Sequence, residues 1–268
     1  ASIIPTKRLV FDLEGYKSYR ASKIKVLSID KDAGHAPVYC ADVQVPEHSF
    51  MAEGVIISNC TEVTSADDND ICNLGSINMA QIDSLEEFQD VVRVATAFLL
   101  CGTLYSSVPY EAVKDTRTKN RRLGLGLMGI AEWLAVRGKT YAWDAELEDY
   151  LGVYKYMSRA YADRYADQLD ISRPLKVRAI APTGTIGILA ETTTGIEPMF
   201  APAYKRRYLK GETWKYQYVV DATAKRLADK GIDPDSVDHA YSMAGDPMKR
   251  IAFQAWVQEY VDHGISST

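Results

Sequence analysis

Val177-Arg178-Ala179-Ile180-Ala181-Pro182-Thr183-Gly184-Thr185-Ile186-Gly187-Ile188-Leu189 runs from a β-type segment through a Gly/Thr-rich turn into a helix start. A strand feeding a helix through a short turn is the unit from which α/β proteins are built. The turn presents the unpaired N–H groups of the helix start and the positive end of its dipole, which suits a phosphate held without a lysine. The same turn also serves as a plain β-to-α connection. No Gly-Lys-Ser/Thr follows, so Walker-type ATP chemistry is not indicated. Outward from this stretch, apolar periodicity predicts helices over 85–105, 126–136, 145–169, 218–230 and 247–262.

The chain has 268 residues, 47% hydrophobic and 25% charged, enough apolar material for a sizeable core. A net charge of −5 supplies no field for condensing on duplex nucleic acid. No apolar run approaches the roughly 18–20 residues that cross a bilayer, and the N-terminus has no signal-peptide pattern. A cytoplasmic location is expected. Four cysteines (Cys40, Cys60, Cys72, Cys101) are too few for a disulfide framework, so single thiols are reactive or merely buried. Cys101, within Phe98-Leu99-Leu100-Cys101, reads as a buried small hydrophobe, and so does Cys40. No metal site is assigned.

Organisation changes near residue 60. Upstream, seven Lys/Arg balance seven Asp/Glu, so the whole negative charge belongs to residues 60–268. Lys23–Ile29 alternates like a strand, Lys31-Asp32-Ala33-Gly34 reads as a turn, and 38–45 reads as the returning strand, with one more strand at 54–57. The segment Val45-Pro46-Glu47-His48-Ser49-Phe50-Met51-Ala52-Glu53-Gly54-Val55-Ile56-Ile57-Ser58-Asn59-Cys60 resembles the C-terminal splicing blocks of inteins. The resemblance covers about residues 23–60 and implies a β-rich, Hint-type fragment over 1–59. It also implies roles. Asn59 cyclises through its side-chain amide and breaks the chain after itself, while Cys60 receives the upstream segment as a thioester. Asp42 and His48 assist the proton transfers. Ser58 stands where most inteins have His, an arrangement that some DNA polymerase inteins share. The alternative is that Ser58-Asn59-Cys60 is a turn and His48 a surface histidine.

Cys60-Thr61-Glu62, followed by Cys72-Asn73-Leu74-Gly75-Ser76-Ile77-Asn78, is similar to the finger-loop region of ribonucleotide reductase catalytic subunits. Ala181–Gly187 and Gly195-Ile196-Glu197-Pro198 strengthen the likeness, which covers about residues 60–268. It implies part of the family's ten-stranded α/β barrel. In that family a cysteine thiyl takes the ribose 3′-hydrogen, a carboxylate deprotonates the 3′-hydroxyl as the 2′-hydroxyl leaves as water, and a dithiol supplies two electrons. By motif, Cys60 is the thiyl site, Glu62 the base and Cys72 half of the dithiol. Residues i and i+2 of an extended segment share a face, so Cys60 and Glu62 would point the same way. Pro182, Thr183, Gly184, Thr185 and Ile186 would hold the phosphates of a ribonucleoside di- or triphosphate.

Where the family has an Asn two residues before the radical cysteine this chain has Ser58, as expected if the host sequence is interrupted here and the matching Asn lies on the upstream partner. Its second dithiol cysteine and its allosteric region would lie upstream, and its swinging C-terminal thiols beyond Thr268, so this chain alone is expected to be inactive. The turn, the short Cys60–Cys72 gap and the GIEP run look most like the adenosylcobalamin-dependent class; the alternative is a class with an iron or manganese radical subunit. Implied partners are an upstream intein and reductase segment and a thioredoxin-like or glutaredoxin-like reductant. An unspliced, inactive remnant is the other reading of the junction. An α/β hydrolase is disfavoured because no Gly-x-Ser-x-Gly elbow occurs.

The glycines of Asn120–Gly129 suit close packing, with no acidic partner at Rossmann spacing. Tyr204-Lys205-Arg206-Arg207-Tyr208 reads as a solvated strand rather than a nucleic-acid surface. Trp214, Trp256, Tyr154 and Tyr161 read as packing residues. His263 is left open between structure and function.

Overall fold

In the computed structural model, residues 62–267 are described apart from Pro109 and Glu212, together with the backbone of four short upstream strands. The chain divides into two units, residues 1–61 and 62–267. In the first, β1 (Arg8–Asp12) pairs antiparallel with β2 (Lys25–Asp30), with an irregularity between Val10 and Phe11. A second antiparallel pair joins β3 (Ser49–Ala52) to β4 (Val55–Ser58). Its register sets Ala52 opposite Val55 and Ser49 opposite Ser58. β2 therefore finds its partner upstream of itself. The expected returning strand over 38–45, and Asp42, His48, Asn59 and Cys60 with it, lie outside the described residues.

The second unit is built on parallel strands. β5 (Asn73–Asn78) lies beside β6 (Leu123–Met128), with Asn73 opposite Leu123 and Asn78 opposite Met128. Residues 177–180 continue the array through a parallel bridge from Arg178 to Leu125. A further parallel bridge joins Ile180 to Ile265. Helices fill each connection, as parallel neighbours require. α1 (Leu85–Tyr105) and α2 (Glu111–Asn120) link β5 to β6, and α3 (Ile130–Val136) and α4 (Ala145–Gln168) link β6 to residues 177–180. The last connection holds α5 (Gly184–Leu189), the antiparallel hairpin of β7 (Ala203–Lys210) and β8 (Thr213–Val220), α6 (Ala222–Asp229) and α7 (Pro247–Gln258).

Local chemistry sets the helix ends. The Ser84 hydroxyl accepts from the Glu87 N–H, and the Glu87 carboxylate reaches back to the Asp83 N–H, so α1 opens on a reciprocal cap. Asp144 caps α4 through the Leu147 N–H, and Asp246 precedes Pro247 at the first position of α7. α1 and α4 pack together. Leu123, Leu125 and Leu127 are buried in the same core as Phe88 and Val92 of α1 and Leu147 and Leu151 of α4. The fully buried Tyr154 satisfies its hydroxyl by donating to the Leu125 carbonyl.

Three expectations change. The helix expected over 126–136 is a strand to Met128 and a helix only from Ile130, turning at Gly129 with φ 75°. Leu-Gly-Leu-Gly-Leu-Met has the two-residue period of a strand, and its leucines also satisfied a helical count. The helix expected from 218 starts at Ala222, after β8 and the Asp221 cap. Cys101 is exposed, not buried, and shares a stripe of α1 with Val94, Phe98 and Tyr105. The apolar run there encircles the helix, and Leu99 and Leu100 take the buried side.

Candidate active site

Alternation along β5 sends Cys72, Leu74 and Ser76 to one face and Gly75 and Ile77 to the other, where Gly75 meets Leu99 of α1. On the first face the neighbouring strand offers glycines. A Cβ at Gly124 would stand 2.3 Å from Leu74 Cδ2 and 3.0 Å from Cys72 Sγ. One at Gly126 would stand 2.6 Å from the Ala179 carbonyl oxygen and 3.0 Å from Ser76 Oγ. These glycines thus make room for the side chains of β5, the close packing expected of them.

The turn after Ile180 faces that strand. Leu74, Gly75 and Ser76 from β5 and Ala181, Thr183, Gly184, Thr185 and Ile186 from the turn line one cavity of about 210 Å³. Two motifs more than a hundred residues apart in the sequence therefore share one site. Thr183 has φ 50°, a costly left-handed conformation for a β-branched residue, and it is held there from several sides. Its hydroxyl accepts from the Gly195 N–H at 2.8 Å, and its carbonyl accepts from the Gly187 N–H at 2.7 Å. The space beside Gly184 is open.

A buried clamp anchors the loop that follows the turn. Glu132, on α3, accepts from Arg226 Nε at 2.6 Å and Nη2 at 2.9 Å. It also accepts from the hydroxyls of Thr192 at 2.7 Å and Thr223 at 3.0 Å. The Thr192 N–H in turn donates to the Gly187 carbonyl. Nothing in the local sequence marks Glu132, because its partners come from 60 to 94 residues away.

A second polar group gathers around Asp70. Arg122 and Asp70 form a buried ion pair; the Ser65 hydroxyl and the Asn120 amide also donate to Asp70. Burial pulls the Asp70 carboxyl up, but these hydrogen bonds and the Arg122 charge outweigh it and hold it below the usual carboxylate range. Burial pushes the Cys72 thiol up to about 12; Arg122 opposes this, and Asp70 and Glu62 add to it. Cys72 is therefore a thiol, not a thiolate, at neutral pH.

Of the other residues singled out in the sequence, Ser58 ends β4 and is described as backbone only. Glu62 is buried, its carbonyl accepting from the Gly264 N–H at 2.7 Å and its Oε2 without a protein partner. Arg122 Nη1 and both ring nitrogens of the buried His263 are likewise unpartnered. Burial, then Lys176 and Arg122, push the His263 imidazole down to about 4, so it is neutral at pH 7. The folded value lies below the ordinary 6.5, so stability is unaffected above that pH and is lost as pH falls from 6.5 toward 4. Relative to His263→Leu, the natural chain is expected to lose about 1–2 kcal/mol between pH 7.5 and 5. Urea unfolding of both chains at the two pH values checks this, and parallel losses would refute it. Among the described residues no His/Cys/Asp/Glu group is arranged to hold a metal, and no helix is long and apolar enough to cross a membrane.

Parallel strands joined through helices, with a Gly/Thr turn beside the strand that follows Cys72, define an α/β-barrel type of site. Residues 36–157 and 173–268 match the barrel domain of ribonucleotide reductase. The chain belongs to that family. It is 30% identical over 244 residues to a vitamin B12-dependent ribonucleoside-diphosphate reductase of Mycobacterium tuberculosis, covering 74% of this chain and 34% of that protein. An enzyme of the same name from Thermoplasma acidophilum is 28% identical, with 74% of this chain and 31% of the relative covered. A solved B12-dependent (class II) ribonucleotide reductase superposes with a TM-score of 0.60 at 17% identity, covering 76% of this chain and 33% of that one. The chain thus spans about a third of the length of these relatives.

Proposed function

We propose that this chain is part of a ribonucleotide reductase that converts ribonucleoside di- or triphosphates to deoxyribonucleotides in the cytoplasm. Residues 60–268 supply catalytic barrel and residues 1–59 form the C-terminal piece of an intein that leaves by splicing. The observation that carries the reductase reading is the cavity that Leu74, Gly75 and Ser76, close after Cys72 in the chain, share with Ala181 and Thr183–Ile186. In it, the N–H groups of Gly184, Thr185 and Ile186, which lack acceptors within the first helical turn, hold the substrate phosphates. Glu62 takes the 3′-hydroxyl proton on Oε2. Cys72 gives electrons as a thiol and forms a disulfide with a cysteine from upstream, which a thioredoxin-like or glutaredoxin-like protein then reduces. Cys60 first accepts the upstream segment and afterwards serves as the thiyl site.

Adenosylcobalamin dependence is proposed from the names of the relatives. The cavity of about 210 Å³ suits a phosphate and does not fit a corrin macrocycle. A second reading, in which residues 36–59 belong to the barrel domain itself, is favoured by the family match beginning at residue 36.

One experiment separates the two. The chain is co-expressed with the reading frame immediately upstream in its native DNA, and the products are weighed intact. Loss of residues 1–59 with the upstream segment joined at Cys60 supports splicing, whereas an uncleaved chain supports the second reading. Asn59→Ala is expected to leave residues 1–59 attached, and continued release would remove Asn59 from its role. The complete protein is then expected to reduce ribonucleotides only with adenosylcobalamin added; full activity without it would overturn the class.

A further inference from the structure

The β7–β8 hairpin departs from the rest of the chain in both charge and exposure. Lys205, Arg206, Arg207, Lys210 and Lys215 stand against the lone Glu212, a local balance of +4 in a chain of −5. Its sixteen strand residues are exposed except Tyr204, Tyr208 and Val219, which are half-buried. The register sets Lys205 opposite Tyr218, Arg207 opposite Tyr216 and Leu209 opposite Trp214, so all six side chains share one face. Lys205 Nζ lies 4.9 Å from the Tyr216 ring centre and 5.6 Å from that of Tyr218, and the Arg207 guanidinium lies 4.3 Å from the Trp214 ring. Cations and rings thus alternate along the face as a ladder. Tyr218, 81% exposed, and Tyr216, 60% exposed, make an apolar surface with no described neighbour to cover it.

Neither strand pairs with a third among the described residues, so both edges keep unpaired N–H and C=O groups. A two-stranded ribbon is weak alone and gains from an added strand. We propose that this hairpin is a docking surface for an extended acidic segment of a partner protein, which adds to its edge and sets carboxylates against Lys205 and Arg207. Charge complementarity selects the partner, since the hairpin concentrates positive charge in an otherwise acidic chain. Single-stranded nucleic acid fits less well, because bases can stack on the exposed rings but cannot pair with the open strand edges, which an extended peptide satisfies.

The test uses the 268-residue chain and three fluorescein-labelled probes: an alternating Glu/Thr peptide, its Lys/Thr counterpart and an oligothymidine of similar length. Anisotropy is expected to show salt-sensitive binding of the acidic peptide alone, weakened at least about tenfold by the double substitution Lys205→Glu/Arg207→Glu. Far-UV circular dichroism checks that the variant keeps its fold, and hydrogen exchange is expected to slow along one edge of the hairpin when the peptide binds. Absence of acidic-peptide binding, or tighter binding of the oligothymidine, would overturn the proposal. So would self-association in sedimentation that the double substitution abolishes, since the occupant would then be a second copy.

Discussion

Replacing Cys60 by Ser is expected to abolish deoxynucleotide formation by the complete reductase while nucleotide still binds. The variant is best made in a continuous reading frame without residues 1–59, so that splicing is not tested at the same time. A serine hydroxyl holds its hydrogen more strongly than a thiol does, and the oxygen radical it would have to form lies out of reach of an oxidant matched to sulfur. On the proposed role of Cys60 as radical carrier, the loss is expected to cost at least a thousandfold in turnover, about 4 kcal/mol of barrier. Product chromatography reads turnover, and calorimetry with the nucleotide reads binding. Turnover near that of the natural enzyme would take Cys60 out of the radical role; loss of binding would make its role structural instead.

The largest effect on stability is expected at Glu132. Its carboxylate, 3% exposed, faces Arg226 and two threonine hydroxyls, so Glu132→Ala leaves a half-buried guanidinium and two donors without their acceptor. Breaking such a pair from one side costs about 3–5 kcal/mol, whereas replacing both partners by apolar residues of similar size is expected to recover most of it. Urea unfolding of Glu132→Ala, Arg226→Met and Glu132→Leu/Arg226→Met reads the cycle. Additive losses in the double substitution would refute the coupling. The clamp also reaches the site, since Thr192 bonds both Glu132 and the Gly187 carbonyl. In the complete enzyme Glu132→Gln is therefore expected to raise KM for the nucleotide more than it lowers kcat.

Motifs carried by one continuous segment were legible in the sequence. The strand-turn-helix at 177–189 occurs, because turn chemistry is a local property, whereas 73–78 reads in the sequence only as a motif and its extended form appears with its parallel partner. What the sequence concealed depends on which segments become neighbours. Leu123–Met128 satisfies both a helical and a strand period, and only its parallel partners decide between them. Arg122 gains meaning from Asp70, and Glu132 from Arg226, across 52 and 94 residues. His263 could not be judged from its own surroundings in the chain. Its neutrality comes from burial beside Arg122 and Lys176, which the fold brings to it.

The glycines of β6 divide that strand into two regimes of sequence drift. At Leu123, Leu125 and Leu127 the helix layer asks only for aliphatic volume, and exchanges among Leu, Ile and Met cost little if the packing adjusts. At Gly126 the obstacle to a single methyl is the backbone oxygen of Ala179, which no rotamer change can move aside. Every second position of the strand is thus free to wander within its class while Gly126 is held to hydrogen, so the fit of β6 against residues 177–180 is written in a residue that contributes no side chain at all.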